Sequence, residues 1–376
     1  MAPHNSLAAR LLATAALAGL SITATAAAAP PFNATGGRAL QAGALSVCAN
    51  AAHAGRATLE AGWAHTCVVT PAAGAVACWG WCGYVQATVP AVVAAAGGQV
   101  AVAAGYYHTC ALSGAGAVAC WGFYDHGQTA VPDAVAAAGG AVALAAGDYH
   151  TCALSAAGGV VRCWGLNDDG QAAVPAAVAA GRTVAMAAGA RHTCALSAAG
   201  APRCWGWNGR GQTAVPAAVA AGTQAAMAAG FAHTCALSAA GAVRCWGWND
   251  HGQTAVPAAV AAGGQAAVTA GDSHTCALST AGAVRCWGWN NHGQTAVPAA
   301  VVAGAQVAIA AGGYHTCALS AAGAVRCWGR SNNRQTAVPD AVAASGGAAL
   351  GCRPASRVTP SPARTRTRTQ KRKVLR

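Results

Sequence analysis

A seven-fold internal repeat constrains this chain more than any other feature of its sequence. Each copy is centred on an H-T-C triplet, and successive triplets are separated by 43, 42, 42, 41, 41 and 41 residues. The copies share one pattern, which reads GFAHTCALSAAGAVRCWGWNDHGQTAVP at 230–257. Because one such unit is too small to bury an apolar face alone, the seven units must pack against one another around a shared core.

Each copy predicts four short strands separated by turn residues. They are an apolar stretch such as Gln99–Ala103, then HTCALS, then AVRCWG, and finally TAVP, where proline suits an edge strand. Four short strands every 41–43 residues are typical of a propeller blade. The Ala-rich AAVAAG runs are too short and too closely bounded by glycine to predict helices. The predicted fold class is all-β, a seven-bladed β-propeller spanning 54–352.

Fourteen of the seventeen cysteines come as one pair per copy, 10 or 11 residues apart. Between Cys235 and Cys245, a three-residue hairpin loop at 239–241 with a left-handed Gly241 places the two cysteines opposite each other. Opposed cysteines can reach disulfide geometry after a modest local adjustment. The predicted hairpin disulfides are Cys67–Cys78, Cys110–Cys120, Cys152–Cys163, Cys194–Cys204, Cys235–Cys245, Cys276–Cys286 and Cys317–Cys327.

Paired cysteines at this density indicate an oxidising compartment. A reduced, buried set is one alternative. Zinc is another, although structural zinc sites use four ligands at tight spacings that are absent here. Cys48 and Cys352 flank the repeats, and a bond between them would tie the ends of the ring. Cys82 lies outside both pairing schemes, at a position where other copies carry an asparagine such as Asn249.

The two ends of the chain differ from the repeats. Residues 1–29 predict a secretory signal peptide, with an organelle transit peptide as the alternative, and residues 30–53 form a lead-in with a glycosylation acceptor at Asn33. No later segment predicts a membrane span, because glycine and polar residues interrupt every apolar run. The net charge is +13, and residues 353–376 hold nine Lys and Arg without an acid. This tail is predicted to be disordered and able to contact polyanions.

The repeat pattern resembles that of the regulator of chromosome condensation superfamily. The motif A-G-x-x-H-T-x-A-L-x-x-x-G-x-V-x-x-W-G-x-N-x-x-G-Q carries the resemblance, in seven copies over about 290 of 376 residues. The resemblance implies a seven-bladed propeller. The paired cysteines look most similar to extracellular members, such as crinkly-type receptor ectodomains and secreted β-lactamase inhibitors. The superfamily also includes a nuclear exchange factor for a small GTPase, whose wedge-like insertion has no counterpart in these evenly spaced copies.

The invariant pattern predicts structure rather than chemistry. The histidines are expected to form hydrogen bonds within blades, and the tryptophan after each second cysteine is expected to pack between blades. Because no paired carboxylates, phosphate-binding loop or serine-nucleophile motif recurs, we predict no catalytic residue, no cofactor and no metal. The predicted function is a secreted, non-enzymatic module for protein recognition. A regulator of a small GTPase and a glycan-binding lectin are the alternatives.

Candidate binding residues are those that vary while the repeat stays fixed. They lie before each histidine or after each W-G pair, and on a ring such positions form circles on one face. Loops on a rigid scaffold commonly carry recognition, and aromatic and arginine side chains are frequent interface anchors. The candidates are Trp63, Tyr106, Tyr107, Tyr149, Arg191, Phe231, Tyr314, Trp81, Trp207, Trp248 and Trp289. The alternative for the aromatics after W-G is packing between blades.

Overall fold

Each sequence repeat folds into one antiparallel sheet, and seven such sheets follow one another in chain order. A computed structural model describes residues 58–70, 73–137 and 140–343. Within these ranges the first strand of the first sheet contacts the first strand of the seventh, which closes a ring. The predicted all-β, seven-bladed architecture with one blade per repeat is therefore confirmed.

The strands are numbered in chain order, three to a blade. The first strands are β1 (Thr58–Ala61), β4 (Gln99–Ala104), β7 (Ala141–Ala146), β10 (Thr183–Ala188), β13 (Gln224–Ala229), β16 (Gln265–Ala270) and β19 (Gln306–Ala311). The second strands are β2 (His65–Val69), β5 (His108–Ser113), β8 (His150–Ser155), β11 (His192–Ser197), β14 (His233–Ser238), β17 (His274–Ser279) and β20 (His315–Ser320). The third strands are β3 (Val76–Gly80), β6 (Val118–Gly122), β9 (Val161–Gly165), β12 (Pro202–Gly206), β15 (Val243–Gly247), β18 (Val284–Gly288) and β21 (Val325–Gly329).

The prediction of a fourth strand at TAVP is wrong, because each described sheet has three strands. In the fifth copy the backbone amides of Ala255 and Val256 donate to the carbonyls of Gly252 and Thr254, at 3.0 and 2.9 Å. These hydrogen bonds form local turns, so the segment offers no edge to a neighbouring strand. Val256 still packs against the core, which explains why the segment has a strand-like apolar pattern.

The Ala-rich runs form short helices, contrary to the prediction. In the fifth copy Pro257 precedes the helix, and its carbonyl accepts hydrogen bonds from Val260 and Ala261. Proline supplies a fixed backbone angle at the start, and burial of Val260 anchors the single turn. The helices are α1 (Ala91–Ala96), α2 (Asp133–Ala137), α3 (Ala176–Ala179), α4 (Ala217–Ala220), α5 (Ala258–Ala261), α6 (Ala299–Val302) and α7 (Asp340–Ala343). Among the described residues, no helix has the length and apolar character needed to cross a membrane.

All seven predicted hairpin disulfides are present. Cys235 lies directly opposite Cys245, with Cα atoms 4.0 Å apart. Ser238 donates its amide to Ala242 at 2.8 Å, and Gly241 is left-handed with φ 79°, as the three-residue loop requires. Each bridge joins the second and third strands of a blade and is worth on the order of 2–3 kcal/mol.

Several predictions concern residues that the structure does not describe. They are the signal peptide at 1–29, the lead-in with Asn33, the bond between Cys48 and Cys352, and the tail at 353–376. These remain predictions. Cys82 lies within the described residues, where it is half-buried against the apolar cluster around Trp121.

A polar relay joins each blade to the next. His233 of the fifth blade lies 3.0 Å (Nε2 to Oγ1) from Thr275 of the sixth. The Thr275 hydroxyl donates its only proton to the Gln253 carbonyl at 2.8 Å, so it must accept from His233, whose imidazole is therefore protonated at Nε2. The same Gln253 carbonyl accepts a second hydrogen bond, from Trp287 Nε1 at 3.0 Å.

This relay recurs at all seven blade junctions, including the one that closes the ring. The histidine–threonine pairs are His65–Thr109, His108–Thr151, His150–Thr193, His192–Thr234, His233–Thr275, His274–Thr316 and His315–Thr66. The prediction that the histidines bond within blades is wrong, because every partner belongs to the next blade. The prediction that the tryptophans pack between blades is confirmed, since Trp246 of the fifth blade lies in one buried cluster with Cys194 and Leu196 of the fourth.

The relay predicts acid lability. Burial lowers the pKa of every relay histidine to about 3 or 4, as in His65 and His108, from about 6.5 in an unfolded chain. Above pH 6.5 neither state is charged and these groups contribute no pH dependence. Between pH 6.5 and about 4 only the unfolded chain takes up protons, so stability falls by about 1.4 kcal/mol per pH unit for each histidine. Urea unfolding between pH 7.5 and 4.5 measures this loss, and a flat profile would contradict it.

The hydroxyl group of the relay threonine is expected to contribute more to the free energy of unfolding than the packing of its side chain does. Thr275→Val removes the acceptor of His233 and one of the two donors to Gln253, while it keeps the shape of the side chain. We expect a loss of about 1–3 kcal/mol in the free energy of unfolding. Thr275→Ser is the matched control: it retains the hydroxyl and should lose less than half as much. Equal losses in the two variants would show that packing, not hydrogen bonding, holds this junction.

Candidate functional site

The antiparallel order of the strands brings two variable segments of every blade to one face. The chain turns between the first and second strands just before the relay histidine, and the third strand ends beside that turn. Two hydrogen bonds fix the arrangement: the Trp81 amide donates to Ala64 at 2.8 Å, and the Trp248 amide donates to Ala232 at 2.9 Å. The residues before each histidine and after each W-G pair therefore lie side by side.

Aromatic side chains from these segments form a connected surface, here called the aromatic face. Its first half spans blades 1 to 3, where Trp63 stacks on Tyr106 at 4.6 Å between ring centroids and Trp81 contacts Tyr107 at 4.6 Å. The second half runs over blades 5 to 7 and joins the first through Tyr314, 6.3 Å from Trp63. The face comprises Trp63, Trp81, Tyr84, Tyr106, Tyr107, Phe123, His126, Tyr149, Phe231, Trp248, His251, Trp289, His292 and Tyr314.

Nine of the eleven candidate binding residues belong to this face, and the structure places the other two beside it. Arg191 makes an ion pair with Asp169 at 2.9 Å. Trp207 lies against Gly209, and its ring contacts no other aromatic ring in the described part of the chain. Rings after W-G also bridge blades, as Trp289 does to Tyr314 at 5.1 Å. Packing between blades and partial exposure therefore coexist at this position.

One circle of residues on the face is not among the candidate binding residues, although its loop varies between copies; it lies two positions before the glutamine of each G-Q pair or its equivalent. Tyr84, His126, His251 and His292 occupy it. In all seven blades the backbone amide at this position donates to that glutamine's side-chain oxygen, as His251 does to Gln253 at 3.0 Å. The invariant glutamine was the available signal, because it holds the loop tip in one conformation.

A cavity of about 90 Å³ lies on the axis of the ring, lined by the first strands. Its opening, here called the channel mouth, is formed by the residues two before each relay histidine. They are Trp63, Tyr106, Asp148, Ala190, Phe231, Asp272 and Gly313. Glycine precedes each of them because the first strands converge here: a Cβ on Gly230 would lie 2.3 Å from the Gly271 carbonyl oxygen.

The acids at the channel mouth are electrostatically unusual. Burial raises the pKa of Asp272 to about 7, although a hydrogen bond from Tyr314 acts in the opposite direction. Burial and the nearby Asp272 charge also raise the pKa of Asp148, and Arg191 opposes them. Tyr314 of the aromatic face interacts with Asp272 of the channel mouth, so the aromatic face and the channel mouth are electrostatically coupled.

Neighbouring tyrosines stay protonated over the ordinary pH range. Burial, followed by the Asp148 charge, raises the pKa of Tyr149 to about 12. Burial and a hydrogen bond to Tyr107 raise the pKa of Tyr106 further. Both phenols therefore keep their protons at neutral pH. Within the described ranges, no three His, Cys, Asp or Glu side chains are grouped closely enough to hold a metal ion.

The repeats identify the family. The family described as the regulator of chromosome condensation (RCC1) repeat matches residues 99–128, 141–171, 184–212, 225–253, 266–294 and 306–335. This chain belongs to the RCC1-repeat propellers. Blade 1 lies outside the matched residues, but it has the same three strands, disulfide and relay. No curated protein sequence matches the chain significantly.

Solved structures of RCC1-type propellers resemble this one. The ectodomain of the receptor kinase CR4 of Physcomitrella patens is 26% identical with a TM-score of 0.57, covering 73% of each chain. The CRINKLY ectodomain of the Arabidopsis thaliana receptor kinase ACR4 is 22% identical with a TM-score of 0.55, covering 73% of this chain and 96% of that one. Prp20p of Saccharomyces cerevisiae is 18% identical with a TM-score of 0.55, covering 73% and 82%. The last two likenesses show the fold alone.

The raised pKa of Asp272 predicts that its carboxylate destabilises the fold at neutral pH. A group with a raised pKa in the folded state stabilises below its unfolded pKa of 3.8, and that contribution is lost as pH rises towards 7. We expect Asp272→Asn to gain about 1 kcal/mol or more at pH 8, roughly 2 °C in Tm, and little at pH 4.

Thermal unfolding of the wild type and Asp272→Asn at both pH values checks this expectation. Asp168→Asn is the matched control, because Asp168 is exposed in a loop of blade 3 and does not line the cavity. A gain that is independent of pH, or one shared with the control, would contradict the assignment of the effect to the Asp272 carboxyl group.

Proposed function

We propose that this propeller is a secreted, non-enzymatic binding module whose aromatic face recognises a protein partner. The continuous aromatic face carries the proposal. Five of the chain's six tyrosines lie on it, Tyr124 being the exception. Tyrosine and tryptophan are the residues that contribute most to protein interfaces, because each offers a large, stiff surface with a polar tip.

The side chains of the aromatic face are held in place without a ligand. Its rings are mostly half-buried and contact one another across blade boundaries, so binding would order few side chains further. The cost of immobilising rotamers on association is correspondingly small. Phe231, which is 39% exposed, and Tyr84, which is 44% exposed, are the most exposed of the phenylalanine, tyrosine and tryptophan residues of the face.

Seven disulfides support placement of the module in an oxidising compartment. The likeness to the CR4 receptor ectodomain supports an extracellular location in the same way. Removal of a signal peptide at 1–29 belongs to this proposal, as does the assignment of 54–352 to the propeller and of 353–376 to a basic tail.

The two alternative functions have different structural requirements. A regulator of a small GTPase would act in a reducing compartment, where the hairpin bridges do not persist. A lectin would stack sugars on exposed ring faces, whereas most rings here engage a neighbouring ring edge-on or tilted. Protein recognition therefore fits this surface best.

Affinity capture with matched variants tests the proposal. The mature chain and a Trp81→Ala, Tyr107→Ala variant are immobilised and exposed to secreted and cell-surface proteins of the source organism. Captured proteins are then purified and their Kd values measured. We expect the double variant to bind at least about thirtyfold more weakly, since two central anchors are worth about 2 kcal/mol or more.

Tyr124→Ala is the control, because Tyr124 is a 70% exposed tyrosine of blade 2 outside the aromatic face. It should bind like the wild type, and all three proteins should unfold at similar temperatures. Partners that bind the double variant as well as the wild type would refute the proposal. If the wild type binds a glycan array, the double variant does not, and no protein is captured, the result would favour the lectin alternative.

A further inference from the structure

We propose that the outer edge of blades 3 to 7 is a docking surface for an acidic polysaccharide, which lies along a row of exposed arginines. The inference goes beyond the proposed function, because it concerns a surface separate from the aromatic face. The row, here called the arginine belt, has one residue in the third strand of each of five consecutive blades. Its members are Arg162, Arg203, Arg244, Arg285 and Arg326.

Every member of the belt occupies the same position in its blade. The first strands line the axial cavity, so the third strand is the outer edge of each sheet, and the arginine is its second residue. Arg244 lies opposite Ala236 and, because side chains alternate along a strand, on the same side of the sheet as Trp246. In blade 3, Arg162 lines a shallow cleft together with Val135 of the preceding blade. The belt therefore follows the outer ends of successive blade junctions.

Contacts within the propeller do not account for these arginines. All five are exposed, and none makes an ion pair, a side-chain hydrogen bond or a cation–π contact with a described residue. The two ion pairs that described arginines do make lie in the loops beside the aromatic face. Charged side chains can protect an edge strand from pairing with another chain, but β6 is an edge strand too and has Ala119 at this position. The belt is therefore not a requirement of every blade edge.

Acidic side chains are absent from the same arc. All nine acids of the chain lie among the described residues, and none is in a third strand or in the helices of blades 3 to 6, α3 to α6. Each of those helices begins with alanine, whereas the helices on either side of them, α2 and α7, begin with Asp133 and Asp340. Positive charge is therefore uninterrupted along the arc, and an anionic chain can follow it from blade to blade.

The spacing of the belt favours a linear polyanion over a small anion or a membrane. With one guanidinium group per blade, each contact is weak by itself, so affinity requires a ligand long enough to engage several blades at once. A membrane would meet the hairpin loops, such as 239–241, which extend past the belt at that end of the blades and have no charge in blades 3 to 7.

Carboxylates are the anionic groups that suit this surface in a secreted protein. A guanidinium group pairs with a carboxylate through two parallel hydrogen bonds, and it stays charged at every physiological pH. A polysaccharide of uronic acids presents such carboxylates along an extended chain. The choice of this polymer over a nucleic acid rests on the secretion that belongs to the proposed function.

The probe is polygalacturonate, a linear polymer with one carboxylate per sugar, compared with the same polymer after complete methyl esterification, which removes its charge. Binding to the full mature chain, with residues 353–376 included, is measured by biolayer interferometry over a range of salt concentrations. We expect the double variant Arg244→Gln, Arg285→Gln to bind polygalacturonate at least about tenfold more weakly, with the slope of log Kd against log salt reduced by about 2. The double variant Arg244→Lys, Arg285→Lys keeps the charge and should retain most of the binding.

Arg210→Gln, Arg334→Gln is the matched control, because it removes the same charge from exposed loops at the opposite end of the third strands. It should bind polygalacturonate like the wild type. Polygalacturonate binding that the glutamine variant of the belt retains in full would overturn the proposal, as would equal affinity for the esterified polymer. Tighter binding of single-stranded DNA, lost in the same belt variant, would overturn it in favour of a nucleic acid.

The two binding proposals can fail separately, because their variants lie on different surfaces. The Trp81→Ala, Tyr107→Ala variant should lose the captured protein and keep its affinity for polygalacturonate. The glutamine variant of the belt should show the reverse, and both should unfold at the temperature of the wild type. Loss of both ligands in either variant would contradict the separation of the belt from the aromatic face.

Discussion

The hydrogen-bond relay between blades is the interaction on which the rest of the structure depends. Each junction uses one histidine, one threonine, one tryptophan and a glutamine carbonyl, and the threonine's single proton fixes the direction of the whole set. The disulfides cannot replace it, because each one lies within a blade. At the closing junction, His315 meets Thr66 at 2.8 Å and Trp79 donates to Gln335, so the ends of the ring are joined by the same side chains as every other pair of blades.

This division of labour explains how so uniform a sequence can present an uneven surface. The relay and the hairpin disulfide hold the two loops of each blade at fixed positions. The glutamine whose carbonyl accepts the relay hydrogen bonds also accepts a hydrogen bond from the loop tip through its side chain. The residues between these fixed points are free to differ. Tyr107, Arg191 and Ser273 occupy equivalent places and have nothing chemical in common, yet the backbone beneath them is the same.

Much of the fold could be predicted because the residues that determine it recur at a fixed spacing in every copy. Cys235 and Cys245 lie at a spacing that a three-residue hairpin converts directly into a facing pair, and the structure confirms all seven bridges. The prediction of a fourth strand is wrong because the apolar pattern of TAVP suits either a strand or a partly buried turn. Only the backbone hydrogen bonds to Gly252 and Thr254 distinguish the turn from a strand. The hydrogen-bond partners of the histidines were predicted wrongly, because spacing along the chain does not show whether a side chain faces its own blade or the next one.

The face and the channel mouth were only partly predictable, for a different reason. The variable positions before each histidine include Trp63, Tyr106, Asp148 and Asp272, and a ring was expected to place them in one circle, but the sequence did not show that this circle surrounds an axial cavity. Convergence of the seven first strands on one axis brings these residues to the lining of one cavity. Ala190 and Gly313 have small side chains in the same circle, so the bulky and charged groups are distributed asymmetrically around the opening. A seven-fold backbone thus carries a surface without seven-fold symmetry, as the proposed recognition of an asymmetric partner requires.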